Sequence, residues 1–211
     1  MADSKYRTIL LFGAPGVGKG TQGKILGHIP GFFHLACGDV FRSLDMTSDL
    51  GKSFLEFSSR GELVPDELTI EMWKQNMYAQ TVLSIYKPAQ DLLVLDGIPR
   101  NLNQAKVLEP YLDVLKVIHL VCKDLDAMVM RMRRRALKEN RLDDADEKVI
   151  RRRFDVYQRE TAPVLAFYPK EKVHEVDAIG SPAVILQRVL DIVAPVQDQH
   201  FRNPLAGDPK A

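Results

Sequence analysis

The sequence has few cysteines, no excess of charge of one sign and no long hydrophobic run. Its 211 residues include two cysteines, too few for a disulfide scaffold or for the four ligands of a structural zinc ion. With 29 basic and 28 acidic residues, the whole chain has no field that would hold a nucleic acid or an anionic membrane. Its apolar runs are shorter than a membrane span, and its first residues lack the apolar region of a signal peptide. These absences favour a cytoplasmic protein without a nucleic-acid or membrane partner.

Short apolar runs alternate along the chain with segments of helical patterning. The apolar runs are residues 6–12, 31–35, 91–96, 116–121 and 172–176. Continuous apolar character is typical of strands that are covered on both faces, as in a parallel sheet. The helical segments are residues 66–78, 125–138, 147–167 and 182–193. This alternation predicts an α/β fold, in which helices cover both faces of a doubly wound sheet of five parallel strands.

Two stretches interrupt this alternation and a third ends it. Residues 37–65 are polar and helix-like without a strand, which predicts an inserted helical flap. Residues 135–145 are dense in charge and predict a short exposed loop. From residue 195 to residue 211 the chain is rich in proline and polar residues, so we expect a disordered tail there. The predicted core domain then consists of residues 1–36, 66–134 and 146–194.

A glycine-rich loop follows the first predicted strand and opens a helix. It reads GAPGVGKGT over residues 13–21. Its glycines let successive backbone N–H groups point at phosphate oxygens, and the helix N-terminus adds the positive end of its dipole. Lys19 supplies a charge for the β- and γ-phosphates, and the hydroxyl of Thr21 is placed for Mg²⁺ or phosphate. Although Gly20 stands where such loops usually have serine or threonine, the motif predicts a P-loop that binds a nucleoside triphosphate. The residues expected to hold the triphosphate are Gly16, Val17, Gly18, Lys19, Gly20 and Thr21.

A second motif, DGIPR, follows the third predicted strand at residues 96–100. The carboxyl ends of strands in open α/β sheets face the ligand crevice. Asp96 therefore lies where a carboxylate can hold Mg²⁺, directly or through water. Pro99 fixes the turn, and Arg100 can bind a phosphate with two parallel hydrogen bonds. Together the two motifs predict a site for a nucleotide and a second phosphorylated substrate.

Further motifs resemble those of the nucleoside monophosphate kinases, and of the adenylate kinases in particular. They are CGDVFR at 37–42, GELVPDEL at 61–68, RLDD at 141–144 and RRRFDVYQRETAPVLAFY at 151–168. With the phosphate loop and DGIPR, the resemblance covers about residues 6–193. It implies Mg²⁺-dependent transfer of the γ-phosphoryl group of ATP to AMP, which gives two ADP, by an enzyme without structural zinc that we expect to be a monomer. It also implies that residues 37–65 are the monophosphate-binding flap and 135–145 a lid of the short kind.

The resemblance implies roles for residues on the ATP side. Arg131 resembles the arginine that stacks on the ATP adenine, and Arg135 resembles an ATP phosphate arginine. Gly180 resembles a backbone contact to the same adenine, and Asp143 and Asp144 resemble residues that position the lid. The implied catalytic set is Lys19, Arg100, Arg135, Arg141 and Arg153.

On the AMP side, Arg42 resembles the arginine that holds the AMP phosphate. Arg141 and Arg153 resemble the pair that converges on the transferred phosphoryl group, and Arg152 stays a candidate for the role given to Arg153. The remaining implied AMP-site residues are Cys37, Glu62, Leu63, Val64, Gly97, Ile98, Pro99, Arg100 and Gln104.

Three positions bear on the identity of the acceptor base. Cys37 stands where adenylate kinases usually have threonine and pyrimidine kinases often have alanine, and Asn101 also occurs in kinases of UMP and CMP. Gln104 favours AMP, because its amide can accept a hydrogen bond from the adenine 6-amino group and donate one to N1. The same amide, flipped, could serve uracil. A UMP or CMP kinase is therefore an alternative, and so is a nucleotide-binding regulatory module without turnover.

Overall fold

A parallel sheet forms the centre of the protein in the computed structural model, which describes residues 5–139, 144 and 146–201. The strands in these ranges are β1 (Tyr6–Gly13), β2 (Phe32–Ala36), β3 (Leu92–Asp96), β4 (Leu112–Val121) and β5 (Val173–Asp177). They lie side by side in the order β2-β3-β1-β4-β5, and every pair is parallel. The predicted five-stranded parallel sheet is therefore confirmed.

The α-helices lie between successive strands in the sequence, and the last one follows β5. They are α1 (Lys19–Leu26), α2 (Cys37–Arg42), α3 (Asp49–Ser59), α4 (Asp66–Val82), α5 (Leu102–Leu108), α6 (Leu125–Glu139), α7 (Glu147–Val156) and α8 (Pro182–His200). A π-helical segment (Tyr157–Thr161) and a 3₁₀ helix (Ala162–Phe167) continue α7, and a second 3₁₀ helix (Lys170–Lys172) precedes β5.

Apolar side chains pack against both faces of the sheet. In β1, Ile9 and Leu11 belong to one hydrophobic cluster and Leu10 and Phe12 to another, because side chains alternate between the faces of a strand. The first cluster contains residues of α1, α6, α7 and α8, and the second contains residues of α2 to α5. Full burial of an isoleucine or leucine side chain contributes about 1.5–3 kcal/mol. This buried centre fixes the loops that leave the carboxyl ends of β1, β2 and β3.

The structure differs from the predictions most clearly in the helix expected over residues 147–167. The expected helix over 147–167 is continuous in α7 only to Val156, because Pro163 has no N–H to donate and cannot continue a regular helix. The predicted flap, residues 37–65, contains α2 and α3 and no strand. Helix α6 extends to Glu139, so the first part of the predicted lid is helical. Residues 140–143 and 145 lie outside the described residues.

The prediction of a disordered tail from residue 195 is wrong for residues 195–200, which continue α8. Val193 and Val196 are buried on the same side of that helix. Their burial outweighs the cost of Pro195, which removes a backbone donor from the helix. At the end of α8, the ring of His200 lies 3.0 Å from the guanidinium of Arg7. Residues 202–211 lie outside the described residues.

None of the helices in the described part of the chain combines the length and the apolar character that crossing a bilayer needs.

Candidate active site

A cavity of about 510 Å³ lies at the edge of the sheet where β1, β2 and β3 end. The register explains the location, because Asp96 at the end of β3 pairs with both Leu11 of β1 and Ala36 of β2. The loops that follow these three strands are therefore neighbours. The glycine-rich loop, the predicted flap and the DGIPR turn all contribute to the lining, and α6 and α7 complete it.

The structure brings most of the predicted site residues to this cavity. On the triphosphate side these are Gly16, Gly18, Lys19, Gly20, Thr21, Asp96, Arg131 and Arg135. On the side of the flap they are Cys37, Arg42, Glu62, Leu63, Val64, Gly97, Pro99, Arg100, Gln104 and Arg153.

Four of the predicted residues that the structure describes are not among those that line the cavity, namely Val17, Ile98, Gly180 and Asp144. Val17 and Ile98 are buried in the hydrophobic clusters, so only their backbones remain available to a ligand. Gly180 is exposed in the loop after β5 and is not among the residues that line the cavity. Arg141 and Asp143 lie outside the described residues.

The glycine-rich loop has the backbone shape that a phosphate cradle needs. Gly16 and Gly18 have φ angles of 77° and 114°, a region in which only glycine is unstrained. Gly18 precedes α1 as its N-cap and has no side chain to cap the helix. The first N–H groups of α1 can therefore serve an anion.

The ammonium group of Lys19 is held inside this loop. It donates to the carbonyl oxygens of Gly13 at 2.6 Å and Ala14 at 3.1 Å. Burial lowers the pKa of Lys19 to about 8; Asp96 opposes this change, and the neighbouring arginines add to it. Negative charge that enters the cavity would raise this pKa again, because it stabilises the ammonium form.

Positive charge is concentrated along the cavity. Burial lowers the pKa of Arg100, and the charges of Arg153 and Arg42 act in the same direction. The Arg100 side chain donates to the carbonyl of Gly97 at 2.8 Å, which directs the guanidinium along the DGIPR turn. A polyanion is the ligand that relieves the repulsion among these groups.

One buried carboxylate holds two of the arginines. Asp144 has no exposed surface, and its two oxygens accept hydrogen bonds from Arg135 and Arg153, respectively. The Nε atom of Arg135 lies 3.0 Å from this carboxylate. Since Arg135 is on α6 and Arg153 on α7, Asp144 connects the two helices beside the cavity.

Arg152 and Arg153 occupy different places although they are adjacent in sequence. Arg153 lines the cavity, whereas Arg152 is 57% exposed and forms an ion pair with Glu62 of the flap. Arg153 therefore lies at the cavity, and Arg152 forms a contact between α7 and the flap.

Hard oxygen ligands are present for a divalent cation. The carboxylate of Asp96 and the hydroxyl of Thr21 both border the cavity, and carboxylate and hydroxyl oxygens suit Mg²⁺. Asp96 Oδ2 would lie 3.7 Å from a Cβ built on Gly20, so the carboxylate faces the start of α1. Among the described residues, no group of three or more His, Cys, Asp and Glu side chains could hold a metal ion.

The structure also places polar residues in the lining to which the motifs assigned no role. They are Lys24, Asp39, Ser58, Thr69, Arg134, Lys138, Glu139, Tyr157 and Thr161. Thr161 donates a hydrogen bond of 2.7 Å to the carbonyl oxygen of Arg100. Its only signal in the sequence is its position within the motif at 151–168.

Comparisons with known proteins agree with this geometry. A family model described as "Adenylate kinase" matches residues 11–173. The chain is similar to the adenylate kinase of Flavobacterium psychrophilum, with 35% identity over 196 residues that cover 88% of this chain and 97% of the relative. It is also similar to those of Thermobifida fusca, with 36% identity covering 86% and 95%, and Kocuria rhizophila, with 34% identity covering 86% and 96%.

Proposed function

The chain belongs to the adenylate kinase family, and from this we propose that it catalyses the reversible transfer of the γ-phosphoryl group of ATP to AMP, giving two ADP. The observation that carries the proposal is the cavity between the glycine-rich loop and the flap, which Lys19, Arg42, Arg100, Arg135 and Arg153 line together. The relatives reported above are named adenylate kinases, which favours AMP over UMP or CMP as acceptor.

The arrangement suits phosphoryl transfer, which requires alignment and charge neutralisation rather than a covalent intermediate on the protein. ATP and AMP together bring about six negative charges into the site. A hydrogen bond to a charged group contributes about 1.5–3 kcal/mol. An arginine whose bonds tighten only in the transition state would therefore raise the rate by about tenfold to more than a hundredfold. The acceptor is already an anion, so we expect no catalytic base.

We assign the ATP phosphates to the glycine-rich loop, Lys19 and Arg135, and the adenine of ATP to Arg131. The AMP phosphate is assigned to Arg42 and Arg100, and Arg153 to the group in transfer. Mg²⁺, when bound, would neutralise charge on the ATP phosphates, and Asp96 and Thr21 are the residues that would hold it, directly or through water.

The flap (37–65) and the lid (135–145) are proposed to close over the two nucleotides, which would keep water from the transferred phosphoryl group. The ion pair between Arg152 and Glu62 supports the assignment of residues 37–65 as a flap that contacts the rest of the protein, since it joins the flap to α7. That the enzyme acts as a monomer in the cytoplasm stays a prediction from the sequence.

A coupled assay with purified protein tests the proposal. We expect ADP formation from ATP, Mg²⁺ and AMP, with lower kcat/KM for CMP, UMP and GMP. Turnover with UMP above that with AMP would contradict the acceptor assignment. Lys19→Met should abolish turnover, whereas Lys123→Met, at an exposed lysine outside the cavity, should leave it unchanged. If the chain were a regulatory module without catalysis, neither the wild type nor Lys123→Met would form ADP.

A further inference from the structure

We propose that Asp66 is a positioning residue that locks the side-chain amide of Gln104 in one orientation. The locked amide makes the acceptor pocket select bases that carry an amino group beside an unprotonated ring nitrogen. The inference rests on the proposed function, because it concerns the acceptor of that reaction. Asp66 acts through Gln104 and does not itself line the main cavity.

The amide of Gln104 has a hydrogen-bond partner on each of its polar atoms. Gln104 lies in the first turn of α5, is 1% exposed and lines the main cavity. Its Oε1 accepts from the backbone N–H of Arg100 at 2.7 Å. Its Nε2 donates to Oδ1 of Asp66 at 2.8 Å.

Neither hydrogen-bond partner of the Gln104 amide can change between donor and acceptor. A peptide N–H only donates, and an ionised carboxylate only accepts. Flipping the Gln104 amide would therefore set Nε2 against the N–H of Arg100 and Oε1 against the carboxylate of Asp66. Two hydrogen bonds would be replaced by two repulsive contacts, in a place with almost no access for water. The flipped amide that could serve uracil is thus excluded by its own surroundings.

Asp66 is itself fixed by two further amides. Asn101 Nδ2 lies 2.9 Å from Oδ1, and Asn103 Nδ2 lies 2.7 Å from Oδ2. Although partial burial acts to raise it, these hydrogen bonds and that from Gln104 lower the pKa of Asp66. The group is therefore a carboxylate near neutral pH. Asn101 also accepts from the backbone N–H of Gln104 at 2.8 Å, so the first turn of α4 and that of α5 form one network.

Each amide atom of Gln104 keeps one further hydrogen-bond site, a lone pair on Oε1 and an N–H on Nε2. A base that meets both sites needs a donor beside an acceptor. Adenine offers its 6-amino group and N1, and cytosine offers its 4-amino group and N3. Hypoxanthine, guanine and uracil offer a carbonyl oxygen beside a protonated ring nitrogen, which opposes the locked amide at both positions. The lock therefore favours AMP and CMP over IMP, GMP and UMP, and the shape of the pocket has to separate AMP from CMP.

The test compares kcat/KM for AMP and IMP, since these acceptors differ mainly along this edge. We expect the wild-type ratio to favour AMP strongly. Asp66→Ala removes one of the two partners that oppose the flipped amide and leaves only the backbone N–H of Arg100. The ratio should therefore fall by at least about tenfold through a higher KM for AMP, while the KM for ATP stays unchanged. Asp66→Asn keeps an oxygen that accepts from Gln104 and should retain most of the ratio. The matched control is Glu67→Ala, an exposed carboxylate in the same helical turn, which should behave as wild type.

Two failures can be told apart. If the wild-type chain does not phosphorylate AMP, the proposed function is wrong. If it does and Asp66→Ala folds but keeps the AMP:IMP ratio, the lock alone is wrong. Should Asp66→Ala fail to fold, Asp66→Ser replaces it, because a hydroxyl both donates and accepts and so imposes no polarity on the amide. An unchanged ratio in that variant would overturn the inference, and a reduced ratio would support it.

Discussion

Lys19 donates a hydrogen bond of 2.6 Å to the backbone carbonyl oxygen of Gly13, the last residue of β1. Gly13 can take this position because it has no Cβ, which would lie 2.5 Å from the carbonyl oxygen of Leu120 on the neighbouring strand. The close approach of β1 and β4 thus places a carbonyl where the lysine needs an acceptor. The charge of Lys19 is held by its own loop in the free enzyme.

Binding of ATP should take up a proton at pH 8.5. Burial lowers the pKa of Lys19 to about 8 in the free protein, so the free lysine is mostly neutral at that pH. Phosphate groups raise the pKa again, because they stabilise the ammonium form. The affinity for ATP should therefore fall as the pH rises above about 8. Titration calorimetry in buffers of different ionisation enthalpy measures the uptake, and Lys19→Met should remove it. Equal heats in all buffers for the wild type would contradict the expectation.

The buried carboxylate of Asp144 should stabilise the protein most when no nucleotide is bound. Asp144→Asn removes the negative charge between Arg135 and Arg153, and we expect the free energy of unfolding to fall by about 3 kcal/mol. Phosphates can replace this charge. The difference in Tm between wild type and variant should therefore shrink when both are saturated with two adenosines joined through five phosphates.

Thermal unfolding with and without this inhibitor, the two adenosines joined through five phosphates, measures both the loss of stability and its dependence on bound phosphate. Asp155→Asn, an exposed position on α7, is the control and should change Tm little in either condition. A Tm difference for Asp144→Asn that the inhibitor leaves unchanged would mean that Asp144 has only a structural role.

The fold and the phosphate side of the site could be predicted because their signals are local. The apolar runs mark strands that are buried on both faces, and Lys19, Asp96 and Arg100 each belong to a short motif next to a strand end. Hydrogen bonds between distant segments leave no such signal. Asp66 and Gln104 are 38 residues apart and Thr161 and Arg100 are 61 apart, so their pairings follow only from the packing of the helices.

Two other differences from the predictions have opposite causes. The helical periodicity of residues 147–167 is continuous, but Pro163 removes a donor and the chain changes to a π-helical and then a 3₁₀ segment. Pro195 and the polar residues after it favour disorder locally, whereas burial of Val196 against the first hydrophobic cluster keeps them helical. After α7, the local effect of Pro163 overrides the helical pattern of the sequence. In α8, tertiary packing overrides the local preference for disorder.

The two cysteines should differ strongly in reactivity. Burial raises the pKa of Cys37 to about 12, so its thiol stays protonated at pH 8, and the thiolate is the reactive form. Cys122 is only half-buried. Brief treatment with iodoacetamide at pH 8 should therefore modify Cys122 and spare Cys37, as peptide mass spectrometry would show. Denaturant should make both react. Modification of Cys37 in the folded protein at the same rate as Cys122 would contradict this view of the pocket.

Substitution of the adjacent arginines on α7 should separate a role in phosphoryl transfer from a role in holding the flap. Arg153 lines the cavity, and Arg153→Ala should lower kcat by about tenfold to a hundredfold, since a charge-assisted hydrogen bond contributes about 1.5–3 kcal/mol. Arg152 forms a largely exposed ion pair with Glu62, and such pairs contribute at most about 1 kcal/mol. Arg152→Ala should therefore change the KM for AMP by less than about fivefold and leave kcat near that of the wild type. Steady-state kinetics with both substrates varied distinguish the two effects. A larger loss of kcat in Arg152→Ala than in Arg153→Ala would reassign the transferring role to Arg152.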